Sequence, residues 1–128
     1  MPVIFKPSVK FNVIQQIADA VNRIDQVFTS NGFQAVITSA NDSVHTPGSA
    51  HYYGAAIDIR TKGLPGKIRN TIFKTLRQVF SPLPPWFVNL EFPNGLQEHI
   101  HIQYGISIKN KAGKIVGFTD GQKIIYGG

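Results

Sequence analysis

The stretch FVNLEFPNGLQEHIHIQY, residues 87–104, decides the fold class. Residues 87–92 alternate apolar and polar, residues 98–104 alternate again, and Pro93, Asn94 and Gly95 stand between them. Two runs of period two around such a break predict an antiparallel hairpin with a slightly long loop. Alternation also sorts side chains between two faces, because residues i and i+2 of a strand share a side. Ile100 and Ile102 are expected to face the core. His99 and His101 are expected to point together from the other face.

Outward from the hairpin, apolar residues recur at three and four. Phe11, Ile14, Ile17, Ala18, Val21, Ile24 and Phe28 predict a helix over 11–31, which SNG closes with Gly32. Residues 33–39, FQAVITS, read as a strand, and ANDSVHTPGS (40–49) as a loop rich in turn residues. A further strand is expected around 55–60. GLPGKIRNTIFKTLRQVFSP (63–82) reads as a second helix, with Ile68, Ile72, Leu76, Val79 and Phe80 on one face and Pro65 in its first turn. Pro82, Pro84 and Pro85 close it. SIKNKAGKIVGF (107–118) and GQKIIYGG (121–128) suggest further short strands. This order of elements predicts a single α+β domain, residues 1–128, with a mostly antiparallel sheet and two main helices.

At 128 residues the chain is long enough to bury a core. No apolar run approaches the roughly 20 residues of a membrane-spanning helix, so no transmembrane segment is expected. The N-terminus, MPVIFKPSVKFNVI, lacks the apolar core and cleavage site of a secretory signal. Synthesis in the cytoplasm without a cleaved signal is expected, so action outside needs another carrier. The chain contains no cysteine, so any transition-metal site must use His, Asp or Glu. The net charge of +6 suits an anionic partner, nucleic acid or an anionic cell wall. The lysines are scattered and no aromatic-plus-arginine nucleic-acid motif is present, so nucleic acid is not expected.

The candidate chemistry lies in two segments, GSAHYYGAAIDIR (48–60) and LQEHIHIQYG (96–105). His51 lies in the loop entering the strand that holds Asp58, and Gly54, Ala55 and Ala56 let the backbone pass close by. Three of the four histidines fall in these segments, together with the carboxylates of Asp58 and Glu98. The fourth, His45, lies six residues before His51. Two histidines and one carboxylate make a common catalytic zinc set, with the fourth position left for water. Taken singly, each group has a plainer reading: HxH occurs often by chance, and Asp58 could pair with Arg60.

SAHYYGAAID (49–58) fits the SxHxxGxAxD signature and resembles the zinc D-Ala-D-Ala carboxypeptidases, whose relatives include D,D-dipeptidases and phage endolysins cutting between L-Ala and D-Glu. EHIH (98–101) is similar to the second signature of that family, an acidic base shortly before a histidine ligand. The resemblance runs from about residue 36 to 104. It implies a hedgehog/DD-peptidase-like α+β fold, a Zn2+ cofactor held by His51, Asp58 and His101, and Glu98 as general base. It implies a peptidoglycan stem peptide as substrate, an anionic cell wall surface as partner, and a monomer acting at the wall as a lysin. Many relatives carry an arginine before the first motif that holds a substrate carboxylate. Here ITSANDSVH has none, which favours an endopeptidase over a carboxypeptidase and leaves Arg60 to serve instead.

Ser49, Tyr52 and Tyr104 join Arg60 as expected substrate-binding residues. Tyr53 and Trp86 are further lining candidates, though Trp86 is expected rather to be a packing residue, in the core or at the surface. Strict alternation puts Glu98 opposite His99 and His101, so reaching the metal needs a bulge or bend at 97–98. His99 has the better parity and is the second candidate for moving protons. Glu91 and His45 are more distant. The rival expectation is a protein of the same fold that is structural, in a virion or on the wall, and does not catalyse.

Overall fold

The structure, a computed structural model, describes residues 2–40, 50–81, 85–119 and 124–127, and of Tyr52, Tyr53 and 124–127 only the backbone. Among the described residues, eight strands and two helices follow the order β1 (Ile4–Phe5), α1 (Gln15–Ser30), β2 (Val36–Ser39), β3 (Ala56–Arg60), α2 (Gly66–Phe80), β4 (Trp86–Glu91), β5 (His99–Tyr104), β6 (Ile106–Lys109), β7 (Ile115–Thr119) and β8 (Ile124–Gly127). A 3-10 turn, Ala50–Tyr53, precedes β3. Five strands form one sheet in the order β1-β2-β3-β5-β4, antiparallel except for β1 against β2. The last three form a second antiparallel sheet, β6-β7-β8. This is a small α+β domain with a mostly antiparallel sheet.

Both helices pack on one face of the larger sheet. Helix α1 buries Ile17, Ala20, Ile24, Val27 and Phe28, and α2 buries Ile72, Leu76 and Phe80, each at spacings of three and four. They meet Ile57 and Ile59 of β3, Val88 of β4, and Ile100 and Ile102 of β5 in one core cluster. Fully burying a side chain of this size contributes about 1.5–3 kcal/mol relative to exposure, so this face fixes the sheet's orientation. The opposite face is left for polar residues. There Asp58 pairs with His101 and Arg60 with His99 across β3–β5, while Asn89 pairs with His101 and Glu91 with His99 across β4–β5. Among the described residues, no helix is long and apolar enough to cross a membrane.

The differences from expectation have local causes. Helix α1 starts at Gln15, not 11, because the amide of Ile14 donates to the carbonyl of Gly54 at 3.0 Å and holds that residue extended. Phe11 instead meets Phe5 edge-on, ring centroids 4.8 Å apart. The close of α1 is as read: Gly32 takes φ +80°, and the amide of Phe33 returns to the carbonyl of Phe28. Pro65 precedes α2 as its N-cap rather than sitting in the first turn. The strand expected over 33–39 is shorter, and the two residues of β1 extend the sheet beside it. Pro82 and Pro84 lie outside the described residues.

Candidate metal centre

Three short connections bring the site together. Asp58 sits in the middle of β3 and His101 directly across from it on β5. His51 arrives from the 3-10 turn, which folds back through Gly54 at φ +68°. A Cβ on Gly54 would stand 2.7 Å from the carbonyl oxygen of Asn12, so this crossing needs glycine. Small neighbours complete the packing: Ala50, Ala55 and Ala56 are buried with Phe118 of the second sheet. His51 is 3% exposed, and Asp58 and His101 8% each, a depth at which polar groups need partners.

The partners converge on one atom. Oδ1 of Asp58 lies 3.2 Å from His51 Nε2, 3.0 Å from His101 Nδ1 and 3.4 Å from His99 Nε2. The second nitrogen of each ring faces an oxygen on the outside. His51 Nδ1 donates to the carbonyl of Ala40 at 2.7 Å, and His99 Nδ1 to that of Gln97 at 2.8 Å. His101 Nε2 donates to Gln103 Oε1 at 3.1 Å, and Gln103 is itself oriented by donating to the carbonyl of Gly105. A neutral imidazole donates from one nitrogen only. With the outer nitrogens donating, the inner ones aim lone pairs at a carboxylate oxygen. Such an arrangement is held by cations between the groups, either protons or a metal ion. Outer acceptors that set the tautomer of inward-facing rings are the usual surroundings of histidine ligands.

Asp58 and His101 bias each other's protonation. Burial pushes the Asp58 carboxyl up, but hydrogen bonds from His101 and His51 and the charges of His51 and His99 outweigh it. Asp58 is therefore held well below the usual carboxylate range. Burial pushes His101 down, and its contacts with Asp58 and Gln103, with the charge of Glu91, more than reverse this and raise it. Ligand atoms of His51, Asp58 and His101 all lie within 4.8 Å of one another. These three buried side chains are positioned to bind a metal ion. Asp58, Glu91 and His99 form a second such group, with His99 Nε2 2.8 Å from Glu91 Oε1.

The site opens into a groove of about 1140 Å³. Its floor is the polar face of the larger sheet. Phe118 and Ile115 of β7 wall one end, and Phe92 and Leu96 of the β4–β5 loop border another part. Arg60 lines it, as expected from its parity with Asp58. His99 does so too, one strand from Arg60. Tyr104 does not: it shares the core face with Ile100 and Ile102 and meets Trp86 edge-on at 4.9 Å. The expected substrate contact of Tyr104 is therefore corrected; alternation along β5 turns it away from His99 and His101. Trp86 is a packing residue and lies against the core, 4.8 Å from Phe80. Ser49, His45 and the side chain of Tyr52 lie outside the described residues.

Glu98 precedes β5, in the irregular segment expected at 97–98, and it borders the groove. Its carboxylate is directed to other partners. Oε2 accepts from Arg69 of α2 at 2.8 Å and from the amide of Asn94 at 2.6 Å. Burial pushes Glu98 up, but hydrogen bonds from Thr61 and the Asn94 amide and the charge of Arg69 prevail and lower it. Arg69 also donates to Asn94 Oδ1 at 3.0 Å, so one guanidinium ties α2 to both ends of the β4–β5 loop. Phe92 at φ +50° and Asn94 at φ +64°, both in that loop, carry left-handed backbone that such anchoring helps to hold.

The sequence reading missed Gln103 as the outer partner of His101, Arg69 as the partner of Glu98, and Lys6 and Lys62 on the groove. Gln103 was findable as the next residue of matching parity on β5. Glu91, read only as a more distant candidate, could have been placed beside His99 from the hairpin register that sets the two opposite each other. Arg69 carried no such signal, since it comes from a helix on the other layer. Comparison of the chain with protein-family models, with curated proteins and with solved structures finds no match.

Proposed function

We propose that the chain is a zinc-dependent peptidoglycan peptidase, hydrolysing a peptide bond of the stem or cross-link and acting on the cell wall as a phage-type lysin. The observation that carries this reading is the convergence of three outward-anchored imidazoles on Asp58 at the floor of an open groove. His51, Asp58 and His101 would hold the ion, a two-nitrogen, one-oxygen set suited to zinc with one position open to the groove. The chemistry zinc supplies in such a site is activation of water at neutral pH and polarisation of a carbonyl. The SxHxxGxAxD resemblance adds the substrate class.

The protein's own groups divide the remaining work. His99, at the edge of the cluster and lining the groove, is the better placed of the two expected proton carriers, and Glu91 orients it through Nε2. Glu98 is committed to Arg69 and the Asn94 amide and braces the loop that borders the groove. Arg60 is available to a substrate carboxylate.

Mass spectrometry of purified peptidoglycan after digestion tests the proposal. New amino groups at stem-peptide bonds, absent with a chelator, are expected; new reducing sugar ends without new amino groups would overturn it. In the same assay His99→Ala should retain metal and lose roughly 10²–10⁴ in rate. If His99→Ala remains active and Glu98→Ala is inactive with metal bound and fold intact, the proton-transfer role passes to Glu98.

A further inference from the structure

Nε2 of His99 faces two carboxylates. It lies 2.8 Å from Glu91 Oε1 and 3.4 Å from Asp58 Oδ1. Carboxylate oxygens only accept, and Nδ1 of the same ring already donates to the carbonyl of Gln97. A neutral His99 therefore aims a lone pair at two acceptors, an arrangement that a cation among them satisfies. An ion with bonds of about 2.1 Å in tetrahedral geometry sets its ligand atoms roughly 3.4 Å apart, close to both spacings here. Ligand atoms of Asp58, Glu91 and His99 all lie within 4.8 Å of one another.

The position is built on the sheet rather than on loops. Asp58, His99 and Glu91 stand on β3, β5 and β4, three neighbouring strands, with Glu91 and His99 directly paired. Strands hold ligand groups more precisely than loops do. The side chain of Glu91 is 40% exposed and all three residues line the groove, so an ion can reach them from solvent. Asp58 also belongs to the position formed with His51 and His101. A carboxylate has two oxygens and can bridge two ions, which in two-metal centres stand ~3.5–4 Å apart. The second ion meets opposition, because it joins a positive ion already in place and because Arg60, Lys62 and Lys6 line the same groove. Only Glu91 adds new negative charge. The two positions therefore fill in order, that of His51 and His101 first.

We infer that Asp58, Glu91 and His99 form a second, weaker site for a divalent metal ion such as zinc, and that filling it switches the enzyme off. An ion on Nε2 of His99 occupies the lone pair that would accept the proton, and it takes Glu91 away as the orienting partner. Zinc that just saturates the first position leaves His99 free; zinc in excess captures it. The site itself rests on the sheet geometry alone. Its inhibitory effect rests on the peptidase reading, with His99 as proton carrier.

Equilibrium dialysis of the full chain against buffered free zinc, followed by elemental analysis, reads the sites directly. Two steps are expected, the first to one ion per chain and the second, at higher free zinc, to two. Glu91→Gln and His99→Ala should each lose the second step and keep the first. Glu91→Gln keeps the side chain's shape at a half-exposed position, which guards against a loss caused by misfolding. With cobalt as the probe, two ions sharing one carboxylate couple magnetically, so the EPR signal per ion should weaken as the second step fills. Amine release from peptidoglycan, followed across the same zinc range, should fall as that step fills. In Glu91→Gln, whatever its basal rate, this fractional loss should disappear. A single binding step, a second step that survives both substitutions, or an unchanged cobalt signal overturns the shared site. Amine release that holds steady or rises as the second step fills overturns its inhibitory role. Two steps with the expected losses, but no amine release at any zinc level, would sink the peptidase reading and leave the site standing.

Discussion

Among single residues, Glu98 separates chemistry from architecture most clearly. Its spacing three before His101 suggests a base, yet its carboxylate joins the exposed Asn94 amide and the partly buried Arg69 guanidinium. A hydrogen bond to a charged group contributes about 1.5–3 kcal/mol when its partners are held in place. Glu98→Gln should therefore lower stability by about 1–2 kcal/mol near neutral pH. The folded carboxyl lies below its ordinary value of 4.5, so the unfolded chain binds more protons in the interval between the two values. The stabilisation is complete above 4.5 and is lost as pH falls through the lowered value. Thermal melts of both proteins from pH 7 down to pH 3 should show the gap in Tm closing on the acid side. A gap of zero at neutral pH would mean that the Arg69 brace stabilises nothing.

At the scale of elements, legibility followed periodicity. Two apolar helix stripes, the alternation of β5 and the turn at Pro93–Gly95 were readable because each repeats a local rule over several residues. What escaped depends on contacts far apart in sequence. Helix α1 begins at Gln15 only because Ile14 is claimed by Gly54, forty residues on, and β1 exists only because β2 offers it an edge. The cluster of His51, Asp58 and His101 was legible through resemblance, whereas its outer acceptors, Ala40 and Gln103, were not. The Gly54 crossing is where the two kinds of information meet. Gly54→Ala would meet the Asn12 carbonyl at 2.7 Å and the Val13 Cα at 3.0 Å, in left-handed backbone. The conformational cost is about 1–2 kcal/mol and the overpacking cost about 1–3 kcal/mol. Those neighbours are backbone, which cannot swing aside, so a loss of about 2–5 kcal/mol is expected. Because the 3-10 turn carries His51, metal affinity should fall as well. Chemical denaturation and metal titration check the two effects; Gly63→Ala, which meets nothing within 4 Å, should cost only the conformational part.

For the whole molecule, the ion is expected to act as a long-range staple. His51, Asp58 and His101 come from the 3-10 turn, β3 and β5, and span fifty residues of chain that unfolding would scatter. An ion that binds only the folded state stabilises it by about 4 kcal/mol at a thousandfold excess over its dissociation constant. For a domain of this size that raises Tm by on the order of 10 °C. The effect depends on pH because metal and protons compete for the same inward nitrogens. His101 is raised by Asp58 and Gln103 despite its burial, so without metal it keeps its proton to higher pH than an ordinary imidazole. Binding must then release that proton, and affinity falls as pH drops. Scanning fluorimetry with and without zinc should show a larger increment at pH 8 than at pH 6. A chelator should remove the increment, and His101→Ala should abolish it, since two remaining protein ligands hold zinc poorly. An increment that persists in His101→Ala, or that grows toward acid pH, would place the ion elsewhere in the protein.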